Sequence, residues 1–101
     1  MITEDYVSFE VAKLLKEKGF IGYEYLRPTL SIAMKWLREV HNYDISICLD
    51  SYVEPYDNQY YIVIRRRKDK YENVSPCEQA YFDTYEEAAE AAIKYCLENL
   101  I

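Results

Sequence analysis

The stretch Thr84–Ile101, TYEEAAEAAIKYCLENLI, contains the clearest structural signal in the chain. Thr84 is followed three residues later by Glu87, a spacing typical of the capping box that begins a helix. Apolar residues recur at helical spacing along one side of this stretch, and charged residues lie on the other. The pattern predicts one amphipathic helix, starting at Tyr85, whose buried side is made of Tyr85, Ala88, Ala89, Ala92, Ile93, Cys96 and Leu100.

Two further helices are predicted upstream of this stretch. Ser8 is a suitable N-cap and Gly19 a suitable stop, which predicts a helix from Phe9 to Lys18. Thr29, after a proline, can cap a second helix that starts at about Leu30 and ends near His41 or Asn42. This second helix carries two apolar stripes, so it either contacts more than one neighbour or leaves part of its apolar surface exposed.

Strands are predicted in the middle of the chain. Alternating residues from Tyr43 to Leu49 indicate a half-buried strand, and Gln59 to Arg66 indicates a second strand that pairs with it as an antiparallel hairpin. Glu54 to Asn58, between them, is typical of a turn. We interpret Lys68 to Pro76 as a loop and Gln79 to Asp83 as a short third strand.

The predicted order is therefore helix, helix, strand, strand, strand, helix, or ααβββα. Helices that bracket a small antiparallel sheet indicate an α+β fold, a two-layer sandwich in which three helices cover one face of a three-stranded sheet. The chain of 101 residues is the size of one domain, so we expect residues 1–101 to form a single domain.

Composition restricts the classes of function. Half of the residues are apolar and 30% are charged, which is typical of a globular protein, and the 12 tyrosines are the outlier. The net charge of −6 repels phosphate at long range, so nucleic-acid binding is disfavoured. The sequence has neither a secretory signal pattern nor an apolar run of about 20 residues. We expect a cytoplasmic protein with no membrane association.

The three cysteines, Cys48, Cys77 and Cys96, are odd in number and widely spaced. No Cys-x-x-Cys pair indicates a zinc site, and the number does not suggest a disulfide framework. We expect three reduced thiols. No cofactor-binding or metal-binding pattern is found elsewhere, and surface solvation is the preferred interpretation of Asp44, Asp50 and Glu54.

Three blocks of sequence, Met1 to Phe20, Pro28 to Asn42 and Thr84 to Ile101, carry a family resemblance. In them the chain resembles a family of small uncharacterised proteins from gut anaerobic bacteria and their mobile elements. The resemblance implies an architecture, because the three blocks are the three predicted helices. It implies that members differ in the segments Ile21 to Arg27 and Tyr43 to Asp83. The family has no assigned function, so the resemblance transfers no catalytic residues.

The strongest local charge signal is a basic run at the end of the second strand. Phosphate contacts accompanied by stacking tyrosines would have this composition. The alternative is a protective basic strand end that prevents edge-to-edge pairing, and the acidic net charge favours that alternative. The candidate nucleic-acid contacts are Arg65, Arg66, Arg67, Lys68 and Lys70.

A second candidate surface is aromatic. Trp and Tyr are enriched at interaction hot spots, so a partner or self-association site is one interpretation, and packing of Trp36 against the sheet is the other. The candidate contacts are Ile32, Trp36, Tyr60 and Tyr61.

No catalytic residues are predicted. The single histidine, His41, lies at a helix end and has no nucleophile near it in sequence. The acidic residues Glu86, Glu87, Glu90 and Glu98 are interpreted as a solvated helix side. We expect a non-enzymatic protein-interaction or accessory module, with an unknown protein or a second copy as its partner. The alternative is a nucleic-acid-associated accessory protein that uses Arg65 to Lys70.

Overall fold

The computed structural model describes residues 6–21, 28–50, 59–68, 70–76 and 80–101. It confirms the predicted α+β class and the order ααβββα. The predicted turn from Glu54 to Asn58 and Cys77 lie outside the described residues. The elements are α1 (Phe9–Glu17), α2 (Leu30–Val40), β1 (Tyr43–Asp50), β2 (Gln59–Arg67), β3 (Tyr71–Asn73), α3 (Tyr85–Tyr95) and a π-helical turn (Cys96–Leu100).

Each α-helix begins at the capping residue that the sequence predicts. The hydroxyl oxygens of Ser8, Thr29 and Thr84 each accept a hydrogen bond from the backbone amide three residues later, at 3.1 to 3.2 Å. These amides have no partner within the helix, so the caps satisfy donors that would otherwise be unpaired.

The end of α1 is also determined locally. Gly19 has a φ of 100°, and its amide donates to the Lys16 carbonyl at 3.2 Å. The Phe20 amide donates to the Leu15 carbonyl at 2.9 Å, which completes a Schellman motif. Asn42, directly after α2, has a φ of 63°, a conformation that asparagine tolerates better than most residues. Both backbone conformations end a helix near its predicted C-terminal end.

The C-terminal helix changes geometry at Cys96. The Ile101 amide donates to the Cys96 carbonyl at 3.2 Å, five residues back, so the last turn is wider than an α-helical turn. The prediction of one uniform α-helix is therefore wrong for this turn. Leu97, four residues after the buried Ile93, is fully buried, while Leu100 is only partly buried. Tyr85, in the first turn, is 42% exposed although it was predicted to be buried.

The sheet has the strand order β1-β2-β3 and is antiparallel throughout. The register of β1 and β2 runs from Tyr43 opposite Arg66 to Asp50 opposite Gln59. The predicted hairpin is thus confirmed, and β2 is the central strand.

The third strand lies elsewhere than predicted. Tyr71–Asn73 forms β3 inside the segment interpreted as a loop. The predicted strand from Gln79 to Asp83 contributes, in its described part, an isolated bridge in which Phe82 and Tyr60 exchange two hydrogen bonds of 2.8 Å. All three residues of β3 are exposed, and its sequence, Tyr-Glu-Asn, has no apolar alternation from which a strand could be predicted. Its pairing comes from the short turn after β2 instead.

The helices and the sheet enclose one core. Helices α2 and α3 contact β1, α3 also contacts β2, and α1 packs on α3. None of the helices in the described ranges is long and apolar enough to cross a membrane. The largest side chains that are fully buried are Leu15, Leu37, Ile64, Ile93, Leu97, Val7, Val11 and Cys96.

Candidate functional site

Strand alternation divides the sheet into two faces. On one face, Ile62 and Ile64 of β2 are buried in the core, and their β1 partners Ile47 and Ile45 pack against it. The opposite face belongs to the intervening residues, because successive side chains of a strand point to opposite sides. We call this second surface the open face, and it consists of Asp44, Ser46, Cys48, Tyr61, Val63, Arg65, Arg67, Tyr71 and Asn73.

The open face is partly apolar and partly charged. Tyr61 and Val63 are half-buried, yet neither belongs to the core or to the side chains that pack against it. Arg65 and Arg67 are exposed, and Tyr71 is 60% exposed. A half-exposed tyrosine and valine in the central strand give this surface more apolar area than a purely solvating sheet face has.

Aromatic rings lie at both ends of the open face. At one end, the Tyr61 ring lies 6.3 Å from the Tyr81 ring at an interplanar angle of 61°. At the other end, Tyr71 of β3 is the register partner of Arg67. Cross-strand partners on one face have Cβ atoms about 5 Å apart, so a guanidinium and a phenol ring are neighbours there.

The predicted basic cluster is divided between the two faces. Arg65 and Arg67 lie on the open face, whereas Arg66 lies on the helix side of the sheet. Lys68 and Lys70 are exposed in the turn between β2 and β3, which a hydrogen bond of 3.3 Å from the Lys68 amide to the Lys70 carbonyl closes. Four of the five predicted cations therefore lie on the open face or at its end.

Arg66 has a structural partner. Its guanidinium donates to the Glu72 carboxylate at 2.5 Å, and the two residues are register partners in β2 and β3. The hydrogen bond from Arg66 lowers the pKa of Glu72, and the same bond, followed by one to Tyr43, raises the pKa of Arg66. This pair joins β3 to the central strand, so Arg66 supports the sheet and is already engaged.

The predicted aromatic group does not form one surface. Tyr60 and Tyr61 are consecutive in β2 and point to opposite faces. Tyr60 packs against the core, and its ring lies edge-on to Tyr85 at 6.2 Å. Only Tyr61 belongs to the open face.

Trp36 lies at the edge of the core on the helix layer. It is half-buried and packs against the core cluster, with the Phe20 ring at 5.6 Å and the His41 ring at 4.7 Å. Both contacts are edge-on, a favourable geometry for aromatic pairs. Ile32, one turn earlier, is half-buried and is not among the side chains that pack against the core. Trp36 thus anchors α2, while Ile32 remains available for contact.

The acidic side of α3 holds α1 in place. The Glu90 carboxylate accepts a hydrogen bond from the Ser8 amide at 2.5 Å, at the start of α1. Lys94 forms an ion pair of 2.9 Å with Glu10, and this contact raises the pKa of Lys94. The groove between the two helices has a volume of about 490 Å³, and two of its four charged side chains, Glu10 and Lys94, form an ion pair with each other. The groove is lined by Ser8, Glu10, Val11, Phe82, Glu87, Glu90, Ala91 and Lys94.

The reactive side chains do not converge in the described part of the chain. Within it, no three His, Cys, Asp or Glu residues could together hold a metal ion. The Nε2 atom of His41 is buried and has no hydrogen-bond partner among these residues. Burial raises the pKa of the Cys96 thiol to about 12, which disfavours the nucleophilic thiolate.

No protein-family model, curated protein or solved structure matches this chain. The chain is described by its fold, a two-layer α+β domain, and by the residues of the open face.

The sequence pattern missed part of this surface. Tyr71 is not among the predicted contacts, because its segment was interpreted as a loop. Val63 and Tyr81 were not singled out. The alternation in β2 could have identified Tyr61, Val63 and Arg65 as residues of one face, since they are two residues apart.

Proposed function

We propose that this protein is a cytoplasmic, non-enzymatic binding module whose working surface is the open face. One observation carries the proposal. Tyr61, Val63 and Arg65 are placed by strand alternation on the side of the sheet opposite the helices and outside the core. In a two-layer fold, such a sheet face is an ordered, nearly flat surface on which an extended partner can lie.

The composition of this surface supports recognition of a macromolecule. Tyrosine and arginine are the residues that most often dominate binding energy at interfaces, and the open face contains both. Antiparallel pairing on both edges of β2 holds these side chains in a defined arrangement. A rigid arrangement lowers the entropic cost of binding.

A capture experiment with matched variants tests the proposal. The tagged full-length protein is cross-linked in an extract of its native host and compared with two variants. Val63→Ser changes the open face, and Val40→Ser changes a residue of α2 that is 57% exposed. Capture should be lost for Val63→Ser and retained for Val40→Ser. Equal capture by both variants would show that the open face is not the working surface.

A second candidate is self-association through α2. Ile32 is half-buried outside the core, and Val40 on the same helix is 57% exposed. Light scattering of the purified protein measures the molar mass directly. A dimer that Ile32→Ser converts to a monomer would favour this candidate over the open face.

A further inference from the structure

We infer that the open face binds single-stranded nucleic acid, with phosphates held by arginine and lysine and bases stacked on tyrosine. This inference rests on the proposed function, because it assigns an occupant to the same surface. Three features of the structure carry it: the local charge, the aromatic rings and the shape of the surface.

The local charge of the open face is positive. Arg65 and Arg67 form no ion pair within the described residues, and Lys68 and Lys70 extend the cationic area at the strand end. Asp44 lies opposite Arg65 on this face, and the Asp83 carboxylate accepts a hydrogen bond of 2.8 Å from Gln59, which strand alternation places on the same face as Tyr61. Such clustered cations are the feature that binds a phosphate backbone.

The acidic net charge of the sequence does not arise from the described residues. Basic and acidic residues are nearly equal in number over the described ranges, so the excess of acid comes from the remaining positions. Among the described acidic residues, Glu86, Glu87, Glu90 and Glu98 belong to the helix layer. Four of the described cations lie on the open face or at its end, and the others lie, with many of the anions, on the helix side of the sheet.

The tyrosines distinguish nucleic acid from an acidic peptide. Tyr71 is 60% exposed beside Arg67, and Tyr61 is half-buried about 20 Å further along the sheet, at about 3.3 Å per residue. Planar bases stack on such rings and can bridge the distance between them, whereas acidic side chains have no planar ring. Cations lie between the two tyrosines and beyond them. This arrangement fits a nucleic-acid strand, which presents both phosphates and bases.

The shape of the surface favours a single strand over a duplex. In the described residues the open face is three strands wide, about 10 Å at the spacing of paired strands, where β3 pairs with Arg65 to Arg67. At Tyr61 and Val63 it is formed by β1 and β2. Duplex bases are read by a helix or a two-stranded ribbon that enters the major groove. A flat sheet instead supports unpaired bases that are splayed over it.

Fluorescence anisotropy with labelled oligonucleotides of about 12 nucleotides tests the inference. The full-length protein is titrated into a DNA single strand, an RNA single strand and a DNA duplex of the same sequence. Binding to either single strand, more tightly than to the duplex, supports the inference, and the DNA and RNA arms identify the preferred backbone. If neither single strand binds saturably, or if the duplex binds as tightly as the single strands, the inference is overturned.

The salt dependence provides a quantitative test. Four phosphate contacts predict a slope of about −3 for the logarithm of the association constant against the logarithm of salt concentration. Affinity should therefore fall about 50-fold between roughly 50 and 200 mM salt. The double variant Arg65→Ser with Arg67→Ser should reduce the slope to about half, whereas Arg65→Lys with Arg67→Lys should keep it. An unchanged slope in the serine variant contradicts the assignment.

Tyr71→Ser should weaken binding by roughly 5- to 150-fold, the range for loss of one stacked base. Tyr85→Ser and Arg38→Ser are matched controls on other surfaces and should bind like the original protein. A loss in the controls that equals the loss in Tyr71→Ser overturns the inference. If capture from host extract depends on Val63 but persists after nuclease treatment, the open face is a binding surface whose occupant is a protein. The proposed function then stands and this inference fails.

Discussion

The assignment of the two sheet faces can be tested by a pair of substitutions in consecutive residues of β2. Ile64 is fully buried, and its β1 partner, Ile45, packs against the same core. Val63, one residue earlier, is half-buried on the open face and outside the core. The two side chains differ by one methylene, so truncation of each to alanine removes similar chemistry from opposite environments.

The expected difference is large. Ile64→Ala removes a side chain from the core and leaves a cavity, which should lower the free energy of unfolding by about 3 to 4 kcal/mol. At roughly 4 to 8 °C per kcal/mol for a domain of this size, the melting temperature should fall by about 12 to 30 °C. Val63→Ala should lower the free energy of unfolding by about 1 kcal/mol or less, since solvent already reaches this side chain.

Urea denaturation is the appropriate measurement, with Trp36 fluorescence and far-ultraviolet circular dichroism as independent probes. Because a small domain has a total stability of only about 5 to 15 kcal/mol, Ile64→Ala could leave too little folded protein to analyse. Ile64→Val then serves as the milder variant, with an expected loss of about 0.5 to 1.5 kcal/mol. Equal losses for Ile64→Ala and Val63→Ala, or a larger loss for Val63→Ala, would refute the assignment of the faces.

Four further outcomes are expected. Thr84→Ala should lower the free energy of unfolding by about 1 kcal/mol, whereas Thr84→Ser should retain most of it, because only the alanine lacks the capping oxygen. Gly19→Ala should cost about 1 to 2 kcal/mol through the φ of 100° and not through a clash, since a Cβ there would meet no atom within 4 Å; Gly19→Asn should cost less in the same urea assay. Cys96 should resist alkylation in the folded protein below its pKa of about 12 and react once urea unfolds the chain, as measured by mass spectrometry. Arg66 lowers the pKa of Glu72, so the pair stabilises the folded protein at pH values above the ordinary pKa of 4.5, and this stabilisation is lost as the pH falls through the lower, folded-state pKa. Glu72→Gln should remove this part of the pH dependence of stability, and an identical acid-unfolding profile in the variant would contradict the prediction.

Local signals in the sequence were reliable. The hydroxyls of Ser8, Thr29 and Thr84 cap the three helices where the sequence predicted, and Gly19 ends the first helix. These features depend on residues within a few positions of one another, so the sequence contains the whole interaction.

Signals that depend on distant residues were less reliable. The third strand, Tyr71–Asn73, has no apolar pattern, and it is held by pairing with β2 and by the ion pair from Arg66 to Glu72. Lys94 pairs with Glu10 on another helix, a contact that the sequence pattern did not predict. The π-helical turn, whose hydrogen bonds span five residues, was also not predicted. For Lys94, the partner was selected by the packing of α1 on α3.

The same distinction applies to the open face. From the sequence by itself came a single α+β domain, the helix limits, the hairpin of β1 and β2 and a set of candidate basic and aromatic residues. Only the tertiary structure showed that Arg65 and Arg67 share a face with Tyr61 and Tyr71, while Arg66 is engaged on the other side. The physical reason is that a strand alternates its side chains between two faces, and only the packing of the helices decides which face is buried. The stretch from Thr84 to Ile101 contributes to that decision, because its small buried alanines let α3 pack closely on one face of β1 and β2.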